Sequence, residues 1–148
     1  MAVLRDEGKI LGIGLSHVTL DQLGTALPAG VTCVQNIYIL IDRIDETLPE
    51  LCARNGIAWI PYFPLGGGFG TLPAVADEDV INDAAARLGF TTSQIGLARQ
   101  LEHSPNTMLI SGTNSIQHLQ ENTAAGNIHL DAATMTALDG IRPHSARA

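Results

Sequence analysis

The sequence predicts an α/β fold built on a parallel sheet. Four short runs, residues 10–14, 31–37, 57–62 and 107–110, are near-continuously apolar and rich in β-branched residues. That is the pattern of strands buried on both faces. Segments with helical spacing lie between them. The strand starts are about 20 to 25 residues apart, then about 50 where two helices intervene, as right-handed βαβ crossovers require.

Each element has its own signal. After the first strand, Thr19 and Gln22 have the spacing of a capping box, and Leu20, Leu23 and Leu27 follow on one face. After the second strand, Asp45 is expected to cap a helix carrying Leu48, Leu51 and Cys52. Pro49 falls in its first turn, where a missing N–H costs least, and Asn55-Gly56 stops it. Beyond the third strand, Asp77 opens a helix with Val80, Ile81, Ala84, Ala85 and Leu88, ending at Gly89. Thr91 and Gln94 repeat the capping-box spacing ahead of Ile95, Ala98 and Leu101. The fourth strand precedes a helix over residues 115–125, and a last helix follows Asp131 with Met135 and Leu138.

Two architectures fit this order: a doubly wound open sheet, or part of a (β/α)8 barrel. A doubly wound dinucleotide fold should carry G-x-G-x-x-G after its first strand. Gly12 and Gly14 begin that motif, but His17 stands where the third glycine belongs. A closed barrel needs eight strands and typically ~250 residues. Four strands in 148 residues make half of one.

Composition narrows the function. With 45% hydrophobic and 16% charged residues, the chain is one globular domain with a real core, not a disordered tail or a fibrous repeat. No apolar stretch reaches the length of a membrane span, and residues 1–9 carry Asp6 and Glu7 in place of a signal peptide's apolar core. The two cysteines, Cys33 and Cys52, read as reduced thiols of a cytoplasmic protein. A net charge of −7 argues against a nucleic-acid partner. The five histidines have no metal-ligand spacing. Asp42, Asp45 and Glu46 around Arg43 read most simply as a solvated surface cluster.

In parallel α/β folds, sites gather at the C-terminal ends of the strands. Ser16 and His17 follow the first strand, Ser16 as a turn start or a polar contact to a ligand and His17 as a candidate acid or base. Gln35 and Asn36 end the second, as structural hydrogen bonders or as partners for a ligand amide. The third runs into residues 61–68, where Tyr62 offers a ring to stack on and the glycines a backbone close to phosphate. The alternative there is a core aromatic and a flexible loop. The fourth runs into Ser111, Gly112, Thr113, Asn114 and Ser115, whose hydroxyls either cap the next helix or join its N–H groups in an anion site. No Lys or Arg lies between Gln100 and Arg142, so His118 is the potential cation at that helix.

Residues 8–17, 34–43, 56–66 and 111–122 together resemble, in order and spacing, four motifs of the aldo-keto reductases. The resemblance covers nearly the whole chain. It implies an α/β half-barrel, the C-terminal half of a TIM-type (β/α)8 barrel with strands 5 to 8, over residues 1–148. It also implies NADP(H) or NAD(H) bound extended at the barrel mouth, without a Rossmann domain. Ser16 and Gln35 match contacts to the nicotinamide carboxamide, with His17 where the family has Asn. Tyr62 matches the ring that stacks on the nicotinamide. Phe63, Pro64, Leu65 and Gly66 match the pyrophosphate loop. Gly112, Thr113 and Asn114 match contacts to the ribose and 2′-phosphate, and Glu121 and Asn122 contacts to adenine. Many relatives place Lys and Arg at the 2′-phosphate; Gly112 and His118 stand there in this chain, which leaves NADP against NAD open.

The family's catalytic Asp, Tyr, Lys and His belong to the other half of the barrel. Lys9, Tyr38 and Tyr62 match none of them, so no catalytic residue is assigned. The implied function is NAD(P)H-dependent reduction of a small aldehyde or ketone, with this chain supplying the cofactor half. The alternative is a non-catalytic half-barrel module that closes its open sheet edges by self-association or with a partner chain.

Overall fold

A computed structural model describes residues 1–41, 43, 46–67 and 72–142. Among the described residues three strands, β1 (Ile13–Ser16), β2 (Val31–Ile37) and β3 (Ala58–Tyr62), form a parallel sheet in the order β1-β2-β3. The helices are α1 (Ala2–Asp6), α2 (Leu20–Ala26), α3 (Thr47–Arg54), α4 (Asp79–Leu88), α5 (Thr92–His103), α6 (Ile116–Ala124) and α7 (Ala132–Asp139). Register sets Ser16 opposite Gln35, and Ile37 opposite Tyr62. The strand ends therefore share one rim.

Local chemistry accounts for most helix starts. At α2, the Thr19 N–H donates to Gln22 Oε1 at 2.9 Å and the Gln22 N–H to Thr19 Oγ1 at 3.3 Å. Thr91 and Gln94 make the same reciprocal pair at α5. Asp131 accepts from the Thr134 N–H at 2.7 Å at the start of α7. Each such cap contributes about 1 kcal/mol. The start of α4 is two residues later than expected. Asp77 closes a short 3-10 turn over Val75–Asp77, and its carboxylate accepts from the Ala74 N–H at 3.2 Å. Helix α3 begins at Thr47; its expected cap, Asp45, lies outside the described residues. The five-residue α1 buries nothing and left no periodic signal.

The expected fourth strand is the main correction. Residues 107–110 form only an isolated parallel bridge to β3. The Trp59 N–H donates to the Asn106 carbonyl at 2.9 Å, and the Met108 N–H to the Trp59 carbonyl at 2.8 Å. Met108 and Ile110 remain 59% and 48% exposed. The run is apolar enough for a strand, but a buried parallel strand needs neighbours on both sides and this one has β3 alone. At the other edge, β1 starts at Ile13, not residue 10, and Leu11 is exposed. The sheet is thus an open arc of a barrel.

Two apolar clusters hold the arc. Leu23, Val31, Val34, Leu48, Cys52 and Trp59 pack α2 and α3 against the strands. Ile39, Leu40, Ile41, Ile81, Ile95 and Leu138 join the chain after β2 to α4, α5 and α7. Burial pushes the Cys52 thiol up to about 11, and both cysteines are free.

The acidic cluster around Arg43 is not simply solvated. The Arg43 side chain is 10% exposed. Its Nη2 donates to the carbonyls of Asp139 and Ile141, each at 2.9 Å, and its Nε lies 3.2 Å from Glu46 Oε1. Glu46 Oε2 accepts from the Tyr38 hydroxyl at 2.9 Å and stands 3.2 Å from His103 Nε2. Buried Arg99 donates to Asp139 Oδ1 at 2.6 Å. Spacing along the chain could not show this, because Asp139 and His103 come from distant helices. Asp42 and Asp45 lie outside the described residues. Burial pushes the Tyr38 phenol up to about 12, against the pull of Arg99.

Burial also opposes the charge on Glu46. The hydrogen bonds from His103 and Tyr38, with the charges of His103 and Arg43, outweigh it and hold the carboxyl below its usual value. A depressed folded pKa stabilises the fold above the unfolded value, and that contribution is lost as pH falls through the folded one. Glu46→Gln should therefore be less stable than the parent near neutrality, with the deficit shrinking as the medium is acidified below the ordinary carboxylate range. Denaturant midpoints measured from neutrality into acid check it; a constant deficit would contradict it.

Candidate functional site

The rim at the C-terminal ends of the strands is built by specific backbone locks. Beyond β1, His17 adopts φ +55, and its N–H donates to the Gln35 carbonyl at 2.8 Å. Asn36 then clasps the next residue: its Oδ1 accepts from the Val18 N–H at 3.0 Å and its Nδ2 donates to the Val18 carbonyl at 2.7 Å. Of the two readings of Asn36, the structural one holds. Beyond β3, Phe63 also has φ +55. Among the described residues these are the non-glycine positions with positive φ. Such strain, at the exits of β1 and β3 on either side of β2, is characteristic of functional positions.

The rim side chains meet across the sheet. His17 Nδ1 stands 3.2 Å from the Tyr62 hydroxyl. The Tyr62 ring lies edge-on to Phe63, with centroids 5.4 Å apart. Ser16 is exposed and Gln35 half-buried beside it in register. A cavity of about 440 Å³ opens under His17, lined also by Thr19, Asn36, Tyr38 and Trp59.

A second cavity, about 610 Å³, runs between residues 62–67 and residues 110–112. Its near wall is pinned from behind. The Gly66 N–H donates to the Phe63 carbonyl at 2.9 Å, the Val75 N–H to the Leu65 carbonyl at 3.1 Å, and buried Gln100 donates to the Pro64 carbonyl. On the far wall, the Ser111 hydroxyl is buried with no hydrogen-bond partner among the described residues. Among the described residues, nothing stands within 4 Å of where a Gly112 side chain would be.

Gly112 leads into α6. Thr113 Oγ1 accepts from the Ser115 N–H at 3.1 Å, and Ser115 Oγ from the His118 N–H at 3.3 Å. Both hydroxyls therefore serve the cap, while a helix start still leaves other first-turn N–H groups without intrahelical partners. Asn114 and His118 are exposed; Glu121 and Asn122 are half-buried one turn on. Glu121 Oε1 accepts from Gln117 at 2.8 Å, and its backbone carbonyl accepts from Gln94 on α5 at 3.2 Å.

The residues picked from sequence thus fall along one path: Ser16, His17, Gln35 and Tyr62 on the rim, Phe63 to Gly66 along the second cavity, then Gly112 to Asn114 and the first turns of α6. Sequence reasoning missed Gln100; it named Ser111 among the candidate hydroxyls but could not show that this one is buried and unpaired among the described residues. A glutamine on the buried face of α5 was the available signal for Gln100. The path offers an aromatic face, amides and hydroxyls at one end, and a glycine loop and helix start at the other. It suits a planar ring joined to an anionic tail. Among the described residues no group of three or more His, Cys, Asp or Glu is placed to hold a metal, and no helix is long and apolar enough to cross a membrane.

Comparison with known proteins agrees with this layout. The model of the aldo/keto reductase family matches residues 1–143. The chain is 42% identical over 142 residues to pyridoxine 4-dehydrogenase of Escherichia coli (strain K12), covering 95% of this chain and 48% of that protein. Among solved structures, a thermostable aldo-keto reductase in complex with the inhibitor epalrestat superposes with a TM-score of 0.82 at 32% identity, over 95% of this chain and 52% of that one. A Gox0644 mutant in complex with NADPH shares the fold, with a TM-score of 0.82 at 21% identity, over 99% of this chain and 52% of that one. The chain spans about half the length of the curated relatives it matches.

Proposed function

The chain belongs to the aldo/keto reductase family, and we propose that it supplies the cofactor-holding C-terminal half, strands 5 to 8, of a barrel that reduces a small aldehyde or ketone. The observation that carries this is the continuous path from the His17–Tyr62 contact, through the cavity between residues 62–67 and 110–112, to the start of α6. An extended dinucleotide fits that path. The ring of Tyr62 stacks on the nicotinamide, and Ser16, His17 and Gln35 hold its carboxamide. Phe63, Pro64, Leu65 and Gly66 line the pyrophosphate. Gly112, Thr113 and Asn114 take the ribose end, with His118 beside them, and Glu121 and Asn122 take adenine.

The residues present suit the group. Among the described residues the buried Ser111 hydroxyl has no partner, a cost that a ligand oxygen in the second cavity would relieve. Bound there, NADPH or NADH would supply a hydride to the substrate's carbonyl carbon. The carbonyl oxygen then needs a proton, typically worth ~10²–10⁴-fold in rate. Neither tyrosine nor the lysine is placed to give it: Tyr38 is buried against Glu46, Tyr62 meets His17, and Lys9 precedes β1. In this reading the acid belongs to a complementary barrel half.

Quenching of protein fluorescence by NADPH, and separately by NADH, tests the proposal. Saturable binding is expected, weakened about tenfold by Tyr62→Ala through loss of the stacking face. The preferred dinucleotide follows from the same titrations. Absence of saturable binding of either would sink the cofactor reading.

One observation favours a second reading, a binding module completed by another chain. Leu11, Met108, Ile110, Ile116 and Leu119 leave apolar surface exposed at and beyond the two sheet edges. Light scattering separates the readings, since a monodisperse monomer that binds dinucleotide contradicts obligatory association.

A further inference from the structure

We propose that His17, when protonated, makes the nicotinamide end of the site selective for the reduced cofactor over the oxidised one. The inference rests on the cofactor reading above and adds a charge dependence that an Asn at this position would not have.

The imidazole is held in place. Its backbone takes the left-handed conformation at φ +55, its N–H is fixed by the Gln35 carbonyl, and Asn36 clamps the following residue from both sides. Its Nδ1 lies 3.2 Å from the hydroxyl of Tyr62, the ring assigned to stack on the nicotinamide. In the neutral tautomer with its proton on Nε2, Nδ1 accepts from the Tyr62 O–H. In the imidazolium, Nδ1 donates to the Tyr62 oxygen instead. Either state keeps the imidazole at the edge of the stacking face.

The two redox states of the cofactor differ in charge at that place. The oxidised nicotinamide ring is cationic and the reduced ring is neutral, while the phosphates are common to both. An imidazolium at the ring edge therefore repels one form and spares the other.

The surroundings do little to cancel that charge. From α2, Thr19 and Gln22 share the cavity with His17; from β2, Asn36 and Tyr38; from α3, Leu48; and from β3, Trp59, with Tyr62 in contact. Of these only the two tyrosines titrate, and the phenol range lies above that of imidazole. The carboxylate of α2, Asp21, is exposed in its first turn and does not line the cavity. Glu46 is engaged by the Tyr38 hydroxyl, His103 and Arg43.

Linkage makes the effect reciprocal: the imidazolium disfavours the oxidised cofactor, and the bound oxidised cofactor disfavours the imidazolium by the same factor. Coupling of one pK unit between two such charges is a tenfold effect on binding.

The test uses the full chain. Dissociation constants for NADPH and NADP+, and for NADH and NAD+, are measured at about pH 5.5 and about pH 8, on either side of the imidazole range. The oxidised-to-reduced ratio of dissociation constants should rise about tenfold at the lower pH. In His17→Asn, which tolerates the left-handed backbone, the ratio should be the same at both pH values. Proton NMR of the His17 ring should show its titration moving to lower pH with NADP+ and not with NADPH. A pH-independent ratio in the parent, with NADPH still binding, overturns this inference and leaves the cofactor reading intact. A swing that persists in His17→Asn also overturns it. Failure of every dinucleotide to bind overturns both.

Discussion

Gly66→Ala is expected to disable the cofactor loop and cost the fold about 3 kcal/mol. Two penalties coincide at this position. Gly66 has φ +67, a conformation costing an L-residue about 1–2 kcal/mol. A Cβ there would also stand 1.8 Å from the Pro73 carbonyl oxygen and 2.9 Å from its carbon. That obstacle is backbone, so a rotamer change cannot relieve it. The bridge between Gly66 and Ala74, and the neighbouring bond from the Val75 N–H to the Leu65 carbonyl, must open. The wall of the second cavity moves with them, so affinity for NADPH should fall at least tenfold. Gly67→Ala is the control. It shares the positive φ, at +71, but among the described residues its Cβ would meet only the Ala74 methyl, at 3.5 Å. It should show the conformational cost alone. Urea midpoints and NADPH titrations of the two variants check this, and equal effects from both would contradict the steric argument.

Trp59→Ala should be the most damaging substitution in the core, at about 3–5 kcal/mol. Trp59 is 2% exposed. Its ring meets Tyr38 edge-on, with centroids 5.8 Å apart. It packs in one cluster with Leu23, Val34, Leu48 and Cys52, which joins α2 and α3 to the sheet. Its backbone pairs with Val34 on one side and carries the bridge to residues 106–108 on the other. Losing the indole would leave a cavity beneath His17, at the rim itself. Trp59→Phe keeps the edge-on contact and should cost less than half as much. Chemical denaturation followed by circular dichroism measures both, and a midpoint for Trp59→Ala close to the parent's would show that this side of the sheet is loosely packed.

Much of this molecule was legible in the sequence because its signals are local. A capping box needs only two residues three apart, so Thr19 with Gln22 and Thr91 with Gln94 announced α2 and α5. Strands β2 and β3 stand where apolar, β-branched runs placed them: β2 pairs on both sides, and β3 pairs along its length with β2 and carries a bridge to Thr107 on its other side. The same rule overreached at residues 107–110, where apolarity is present but a second neighbouring strand is not. The acidic cluster around Arg43 was misjudged because its partners, Asp139 and His103, are nearly a hundred and about sixty residues away.

The candidate site divides the same way. Its residue types, and their place at the ends of parallel strands, could be read from the chain and its resemblance to a family. Their relations could not. That His17 meets Tyr62, that Asn36 spends its amide on Val18, and that Ser111 is left without a partner among the described residues all depend on strand register and on backbone angles at the strand exits. Sequence by itself determined the alternation of elements and the family, since short-range periodicity and motif spacing are written along the chain. Only the tertiary structure decided which polar groups are satisfied by the fold and which remain open to a ligand, because a hydrogen bond between distant residues exists only once packing brings its two ends within reach.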